Sequence, residues 1–291
     1  MRLPLNLVST LFNTTLALDP ASAPLVMQLL EQSAGPGLEG ALAANADAGR
    51  EWGMPRQERA DICPYDVICG VAIIPIKGIL IQRLGWLWHY GEYLDISGYD
   101  RIRYQVIHAL ANPDVEALAL DIDSGGGDVA GCFDLVDTIY RARGSKPIAA
   151  ILGENAYSAA YAIASAADPG RLWVPRTGGT GSVGVIYIHM SIEGYLAKIG
   201  VTPTLITKGA LKGESSEMIA LSDEARGRFQ RDVDTVGRLF DETVARNRGM
   251  TRKQVFDTQA GTFLGGDGVD IGFADAVAAP DEAFRALLKQ L

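Results

Sequence analysis

The sequence predicts an α/β fold with a mostly parallel sheet, built from repeated strand–helix units. Short apolar runs bounded by glycine or proline alternate along the chain with segments whose apolar residues recur at helical spacing. The strand-like runs are largely apolar, as expected of strands covered on both faces of a parallel sheet. With 48% hydrophobic and 21% charged residues, the composition is that of an ordinary globular protein.

The predicted elements begin near residue 70. We expect strands at residues 70–78, 117–122, 148–152, 172–174, 185–188 and 203–206. We expect helices at residues 99–111, 130–143, 162–167, 192–199, 222–248 and 282–288. The longest helix is supported by apolar residues at helical spacing, namely Phe229, Val233, Val236, Phe240 and Val244. The alternation of the two kinds of segment is what indicates a parallel sheet.

Two regions divide the 291 residues. Residues 1–66 are predicted to be an N-terminal arm and linker, because residues 33–66 are rich in glycine, alanine and proline and residues 24–30 suggest only a short helix. Residues 67–291 are predicted to be the main domain. An aromatic stretch at residues 84–93 is a flap over a cleft, an oligomer contact or an ordinary packed loop.

Composition and charge exclude several classes of function. The net charge of −9 gives no basic surface for nucleic acid or for an anionic membrane. No run approaches the ~20 apolar residues of a membrane span, and polar residues interrupt the weak signal-peptide pattern at the N-terminus. The three cysteines form no CxxC pair and the three histidines are scattered, so we expect no metal and no cofactor. The protein is expected to be cytoplasmic, with free thiols.

The chemistry of the chain centres on Ser158. It follows the apolar run at residues 148–152 and precedes an alanine-rich segment at residues 162–167, so it lies between a strand and a helix. At that place its hydroxyl can face a cleft, next to the positive end of the helix. The simpler interpretation is that Ser158 only caps the helix, and a serine considered alone favours it.

Three consecutive glycines lie in residues 121–128, Asp-Ile-Asp-Ser-Gly-Gly-Gly-Asp, between a predicted strand and a predicted helix. Without Cβ atoms, this backbone can approach a ligand closely and direct its amides inward. Three interpretations are open: an oxyanion hole, a phosphate-binding loop and a tight turn. The segment matches neither GxGxxG nor GK[ST], which weakens the phosphate interpretation.

A serine nucleophile also needs a base that takes its proton. His189, at the end of the predicted strand 185–188, is one candidate. Lys208 and Lys212 follow the predicted strand 203–206, and a buried lysine loses its charge and can act as a base near neutral pH. The residues alone do not choose among the three.

Three segments occur in a fixed order along the chain. They are residues 123–127, Asp-Ser-Gly-Gly-Gly; residues 156–161, Ala-Tyr-Ser-Ala-Ala-Tyr; and residues 180–186, Thr-Gly-Ser-Val-Gly-Val-Ile. Together they resemble the signal peptide peptidase A family of serine–lysine proteases, and residues 209–212, Gly-Ala-Leu-Lys, match the Gly-x-x-Lys segment of that family. The resemblance implies a Clp protease/crotonase-like fold and makes residues 67–291 a serine peptidase domain.

Residues 11–20, Leu-Phe-Asn-Thr-Thr-Leu-Ala-Leu-Asp-Pro, resemble the start of the phage branch of this family. That branch comprises the prohead proteases, which cut scaffold and capsid proteins during head assembly. The sequence has no N-terminal anchor like that of the membrane-bound branch, which favours the phage branch. The implied partners are protein substrates, the chain itself among them, and further copies in a homo-oligomer, in the host cytoplasm or the phage prohead.

The resemblance also implies roles for individual residues. In a serine endopeptidase with a Ser-Lys dyad, these are Ser158 as nucleophile, Lys212 as general base, Gly126 and Gly127 as oxyanion donors, and Ser182 and Thr180 as residues that orient the lysine. Gly125 stands where the family pattern has proline, and Ala159 and Ala160 where it has glycines. Asp121 and Asp123 bring charge near the site without an evident reason.

Three alternatives use the same fold. The first is a Clp-like protease with Ser158, His189 and an aspartate. The second is a crotonase-like acyl-CoA-binding protein that uses the glycine amides without hydrolysing peptides. The third is an inactive structural paralogue in the capsid. The fold alone does not choose among them.

Overall fold

The computed structural model describes residues 15–18, 63–84 and 95–291. The predicted short helix at residues 24–30 and nearly all of the aromatic stretch at residues 84–93 lie outside the described residues. Strand β2 begins at Asp66, beside the predicted boundary between arm and domain. The division into two regions stays a prediction.

The described strands belong to one sheet. In chain order they are β1 (Thr15–Leu18), β2 (Asp66–Ile68), β3 (Val71–Ile81), β4 (Ile96–Gly98), β5 (Ala117–Asp128), β6 (Ile148–Tyr157), β7 (Leu172–Val174), β8 (Gly179–Gly181), β9 (Ile186–Tyr187), β10 (Thr262–Leu264) and β11 (Ala276–Val277). The central strands β3, β5, β6 and β8 pair in parallel, while β1, β2 and β10 pair antiparallel with their neighbours. The predicted α/β fold with a mostly parallel sheet is confirmed.

The helices of the described chain are α1 (Tyr99–Ala111), α2 (Cys132–Ala142), α3 (Ala159–Ser165), α4 (Glu193–Lys198), α5 (Asp223–Arg248), α6 (Arg252–Phe256), α7 (Gly265–Asp270) and α8 (Pro280–Leu288). Helix α5 begins where the Ser222 hydroxyl accepts a hydrogen bond from the Ala225 amide, and it ends at Gly249 in a left-handed conformation. These signals explain why the predicted helix 222–248 is correct to within one residue.

The sheet is covered on both faces, which explains its apolar strands. The larger core lies on the face of α1, α2, α3 and α5, and every residue of α3 is buried in it. Alanines make up most of α3, so the helix lies close against the sheet. The smaller core lies on the opposite face, where Ala283 and Leu287 of α8 pack on Val71, Ala119 and Trp173.

Three predicted strands differ from the structure in an informative way. Strand β5 continues to Asp128 instead of ending at residue 122, because its glycines remain paired with Ile79 and Leu80 of β3. Strand β6 likewise continues to Tyr157. The predicted strand at residues 203–206 is wrong, since these residues have no regular secondary structure and Ile206 is 94% exposed.

Candidate active site

Ser158 lies at the point where β6 ends and α3 begins, and its backbone is strained. Its φ of 53° and ψ of −121° are a conformation that non-glycine residues rarely adopt. Two hydrogen bonds hold it there, from the Ser158 amide to the Gly181 carbonyl (2.8 Å) and from the Ala162 amide to the Ser158 carbonyl (2.9 Å). Such strain costs about 1–3 kcal/mol and is concentrated at functional sites.

The Ser158 hydroxyl is buried and has no hydrogen-bond partner within the described part of the chain. The residue is 1% exposed. Although Ser158 occupies the N-cap position of α3, its side chain makes no capping hydrogen bond. The interpretation of Ser158 as a helix cap is therefore wrong, and its hydroxyl stays available for another group.

The same turn leaves the backbone amide of Ala159 without a capping hydrogen bond, and this amide is a candidate oxyanion donor that the sequence analysis missed. The first amides of a helix have no partner within the helix, and here the side chain at the cap position does not bond them. The first of these amides belongs to Ala159, directly after Ser158. It is a candidate oxyanion donor in addition to the two predicted glycines. Only the strained turn marks it out, and a sequence pattern does not reveal that turn.

The glycine loop lies beside Ser158 and is held by Ser124. The Ser124 hydroxyl donates to the Gly78 carbonyl (2.6 Å) and accepts a hydrogen bond from the Gly126 amide (3.1 Å). Ser124 pairs with Ala156, so the glycines continue along β5 at the level where β6 turns into α3. The structure thus brings Gly126 and Gly127 to the end of β6, and their oxyanion role stays a prediction.

Thr180 and Ser182 lie on the other side of Ser158. Thr180 pairs with Ala156 on β6, and Gly181 pairs with Tyr157, so Ser182 follows β8 at the level of Ser158. Both side chains are buried. The Ser182 amide donates to the Gly261 carbonyl (2.8 Å), while the Thr180 hydroxyl donates to the Phe263 carbonyl at a long 3.5 Å. Their role in orienting a lysine stays a prediction.

The structure does not bring Lys212 to Ser158. Lys212 lies in an exposed turn, where its amide donates to the Gly209 carbonyl (3.2 Å). Lys208 is exposed in the same turn. Since the Ser158 hydroxyl has no partner within the described residues, the dyad contact is not formed in the single chain. The dyad stays a prediction.

The other ionisable residues named by the sequence analysis have partners of their own. The His189 Nε2 atom lies 3.1 Å from the Ser216 carbonyl oxygen, so it is engaged away from Ser158. Asp121 accepts a hydrogen bond from the Lys77 ammonium (2.6 Å), and Asp123 accepts one from the Asn155 amide (3.1 Å). These contacts account for the two aspartates near the glycine loop.

Burial sets the pKa values of two groups close to the site. It raises the pKa of the Cys132 thiol to about 12, and this side chain lies against the Ala159 carbonyl. Cys132 is therefore a neutral thiol and a poor nucleophile. Burial also raises the pKa of Asp128 to about 6, partly offset by a hydrogen bond from the Gln82 amide.

Within the described residues, no group of His, Cys, Asp and Glu side chains could hold a metal ion.

A strained, buried serine between a strand and a helix, beside a glycine loop on a mostly parallel sheet, is the arrangement that serine hydrolases use for their nucleophile. Residues 141–291 match the profile of Peptidase family S49, and the chain belongs to that family. The predicted kinship with signal peptide peptidase A and the Clp protease/crotonase-like fold of that family are confirmed.

Two phage proteins are similar over most of the chain. The "Head-tail preconnector protein GP5" of Enterobacteria phage P21 is 38% identical over 78% of this chain and 44% of its own length. The "Capsid assembly protease C" of Escherichia phage lambda is 33% identical over 97% of this chain and 65% of its own length. The chain thus spans less than two thirds of either relative.

A bacterial relative is more distant. The "Putative signal peptide peptidase SppA" of Enterococcus faecium is 26% identical over 60% of this chain and 51% of its own length. Among the helices that the structure describes, none is both long and apolar enough to cross a membrane.

Proposed function

We propose that this chain is a serine endopeptidase with Ser158 as its nucleophile. The observation that carries the proposal is the Ser158 hydroxyl, which is buried, without a partner among the described residues and held on a strained backbone. Membership of Peptidase family S49 supports peptide bonds as the target. Cys132, a buried thiol that lies against the Ala159 carbonyl, is kept neutral by its raised pKa.

The proposed reaction has two halves. Ser158 Oγ attacks the carbonyl carbon of a peptide bond while an uncharged Lys212 takes the hydroxyl proton. The charge on the carbonyl oxygen is stabilised by amides of the glycine loop, that of Gly127 and that of Gly126, which exchanges its hydrogen bond to the Ser124 hydroxyl for one to the substrate. The amine product leaves with the proton from the lysine, and an acyl-enzyme remains. A water molecule then attacks this ester, the lysine again accepts and returns a proton, and the acid product leaves Ser158 free.

The phage relatives indicate the substrates. One carries the name capsid assembly protease, and the other is called a head-tail preconnector. We infer that this chain cuts scaffold and capsid proteins, itself included, during head assembly. The setting would be the phage prohead in the cytoplasm of the host.

A homo-oligomer would complete the site. Residues 188–211 expose large apolar side chains on one continuous stretch of chain, namely Ile188, Met190, Ile192, Tyr195, Ile199, Val201, Leu205, Ile206 and Leu211. We call this stretch the apolar segment, and Lys212 follows it directly. A lysine acts as a base only when its charged form is disfavoured, which requires exclusion of water. A second copy packed on the apolar segment would provide that exclusion.

The alternatives find less support. A Clp-like triad requires His189 at Ser158, whereas His189 is engaged with the Ser216 carbonyl. A crotonase-like acyl-CoA-binding protein would use the glycine amides without a nucleophile, which leaves the strain at Ser158 without a purpose.

The proposal is tested by labelling with a fluorophosphonate, which reacts only with an activated serine, and by casein hydrolysis. The wild type should react in both assays and Ser158→Ala in neither. Ser145→Ala, at an exposed turn, serves as the control and should keep full activity. Hydrolysis by Ser158→Ala would refute the proposal, and tight binding of an acyl-CoA without labelling would favour the crotonase-like alternative.

The identity of the general base is tested by two arginine variants, at Lys212 and at the neighbouring Lys208. Lys212→Arg should lower kcat by about 10³-fold or more, because arginine does not lose its proton at working pH. Lys208→Arg should keep wild-type activity. Full activity of Lys212→Arg would exclude the dyad. If His189→Ala were inactive while both lysine variants stayed active, the Clp-like triad would be the correct assignment.

A further inference from the structure

The N-terminal strand β1 lies in the middle of the candidate site. Its residues pair antiparallel with the end of the glycine loop, Leu16 with Asp128, Ala17 with Gly127 and Leu18 with Gly126. On its other edge, Thr15 and Leu16 pair antiparallel with Tyr187 and Ile186 of β9. A four-residue strand is thus bonded on both edges, in a gap between β5 and β9.

Strands β1 and β6 pair with the same edge of β5, one after the other along that strand. Strand β3 pairs with β5 along residues 117–127, so it covers one edge of β5 throughout. Strand β6 covers the other edge as far as Ser124. Beyond Ser124, where the chain of β6 turns away at Ser158, β1 takes over this second edge.

Strand β1 runs towards the end of β6, where Ser158 lies. Since β5 is parallel to β6 and antiparallel to β1, the C-terminal ends of β6 and β1 point towards each other. Ala156 pairs with Ser124, which puts Ser158 at the level of Gly126, the partner of Leu18. A substrate whose carbonyl reaches both Ser158 and the loop amides would have to enter along this same edge.

We propose that the gap between residues 126–128 of β5 and β9 is the peptide-binding slot, and that Thr15–Leu18 is its built-in occupant, which a substrate must displace. That a substrate binds in this slot rests on the proposed function, whereas the occupation of the slot by β1 rests on the strand pairing alone. An extended peptide recognised by strand pairing on two edges is bound chiefly through its backbone.

Two physical arguments favour an occupied slot. Without an occupant, both β5 and β9 would present unpaired amides and carbonyls next to a buried serine, which is costly. The occupant also belongs to the same chain as the core, which makes its binding intramolecular. Linkage within one chain gives an effective concentration of about a millimolar, so even weak pairing keeps the slot filled.

The test uses Ala17→Pro in the full chain. Ala17 pairs with Gly127 of β5 in the interior of β1, where a proline is not accommodated without distortion of the strand. The substrate is the peptide Thr-Leu-Ala-Leu linked to a fluorogenic coumarin amide. We expect Ala17→Pro to have a KM about tenfold lower than the wild type with an unchanged kcat, as for loss of a tethered competitor.

The control is Ser22→Pro, which places the same substitution outside β1 and should keep the wild-type KM. An active Ala17→Pro with the wild-type KM would overturn the proposal. Hydrogen exchange gives a readout that does not need activity, measured on Ser158→Ala with and without Ala17→Pro. The amides of residues 126–128 and 186–187 should exchange faster when β1 is broken, and equal exchange would overturn the occupancy even if no variant hydrolyses peptides.

Discussion

At the scale of the single residue, the strained backbone of Ser158 predicts a difference in stability between two variants that both lack the hydroxyl. Glycine adopts a φ of 53° and a ψ of −121° freely, whereas alanine is strained there as serine is. Ser158→Gly should therefore be more stable than Ser158→Ala by about 1 kcal/mol, although both are inactive. Urea unfolding of the pair at one pH measures this difference. An equal or lower stability of Ser158→Gly would show that the turn is not strained.

Asp128, beside the glycine loop, predicts a pH dependence of stability. Burial raises its pKa from 3.8 to about 6, so the folded chain binds a proton in this range that the unfolded chain releases. Through this group, the free energy of unfolding should fall by on the order of 3 kcal/mol as the pH rises from about 4 to about 6. Above that range it should stay level.

Asp128→Asn tests that dependence, since its side-chain oxygen can still accept the hydrogen bond from the Gln82 amide. The variant should be more stable than the wild type at pH 7 and of similar stability near pH 3.5, by urea unfolding across the range. Asp114→Asn, at an exposed turn, should keep the profile of the wild type. A wild-type profile in Asp128→Asn would contradict the assignment to Asp128.

At the scale of the element, local signals decide what the sequence can predict. Helix α5 has a serine cap, a glycine stop and regular apolar spacing, so its limits follow from the sequence. The end of β5 has no such signal, because glycine favours turns by itself and is kept extended only by pairing with β3. Residues 203–206 have the composition of a buried strand but lie on the surface, and apolar content alone does not distinguish the two.

Two glycines in different elements should respond oppositely to the same change. A Cβ at Gly127 of β5 would lie 1.8 Å from the Leu80 carbonyl oxygen, whereas one at Gly237 of α5 would meet nothing within 4 Å. Gly127→Ala should lose more than about 2 kcal/mol of stability through overpacking against backbone. Gly237→Ala should gain about 0.5–1 kcal/mol from helix propensity. Thermal and urea unfolding compare them, and a stable Gly127→Ala would contradict the close approach.

At the scale of the whole molecule, the two halves of the site differ in how they are encoded. Ser158 and the glycine loop come from consecutive strands, so their nearness follows from the order of β5 and β6 and could be predicted from the sequence. Lys212 is distant in the chain and lies outside the packed core, and no spacing rule predicts where it sits relative to Ser158. Likewise, the sequence analysis identified residues 11–20 as a motif, but their pairing with the glycine loop depends on long-range contacts.

The apolar segment carries the last prediction, which tests the proposed homo-oligomer. Large exposed apolar patches mark interaction surfaces, and Ile206 is the most exposed member of this segment. We expect the wild type to be larger than one chain by light scattering, and Ile206→Glu to be a monomer with little peptidase activity. Ile107→Glu, on an exposed position of α1 that is also apolar, should keep the wild-type mass and activity. An active, monomeric Ile206→Glu would refute the proposal that a homo-oligomer completes the site.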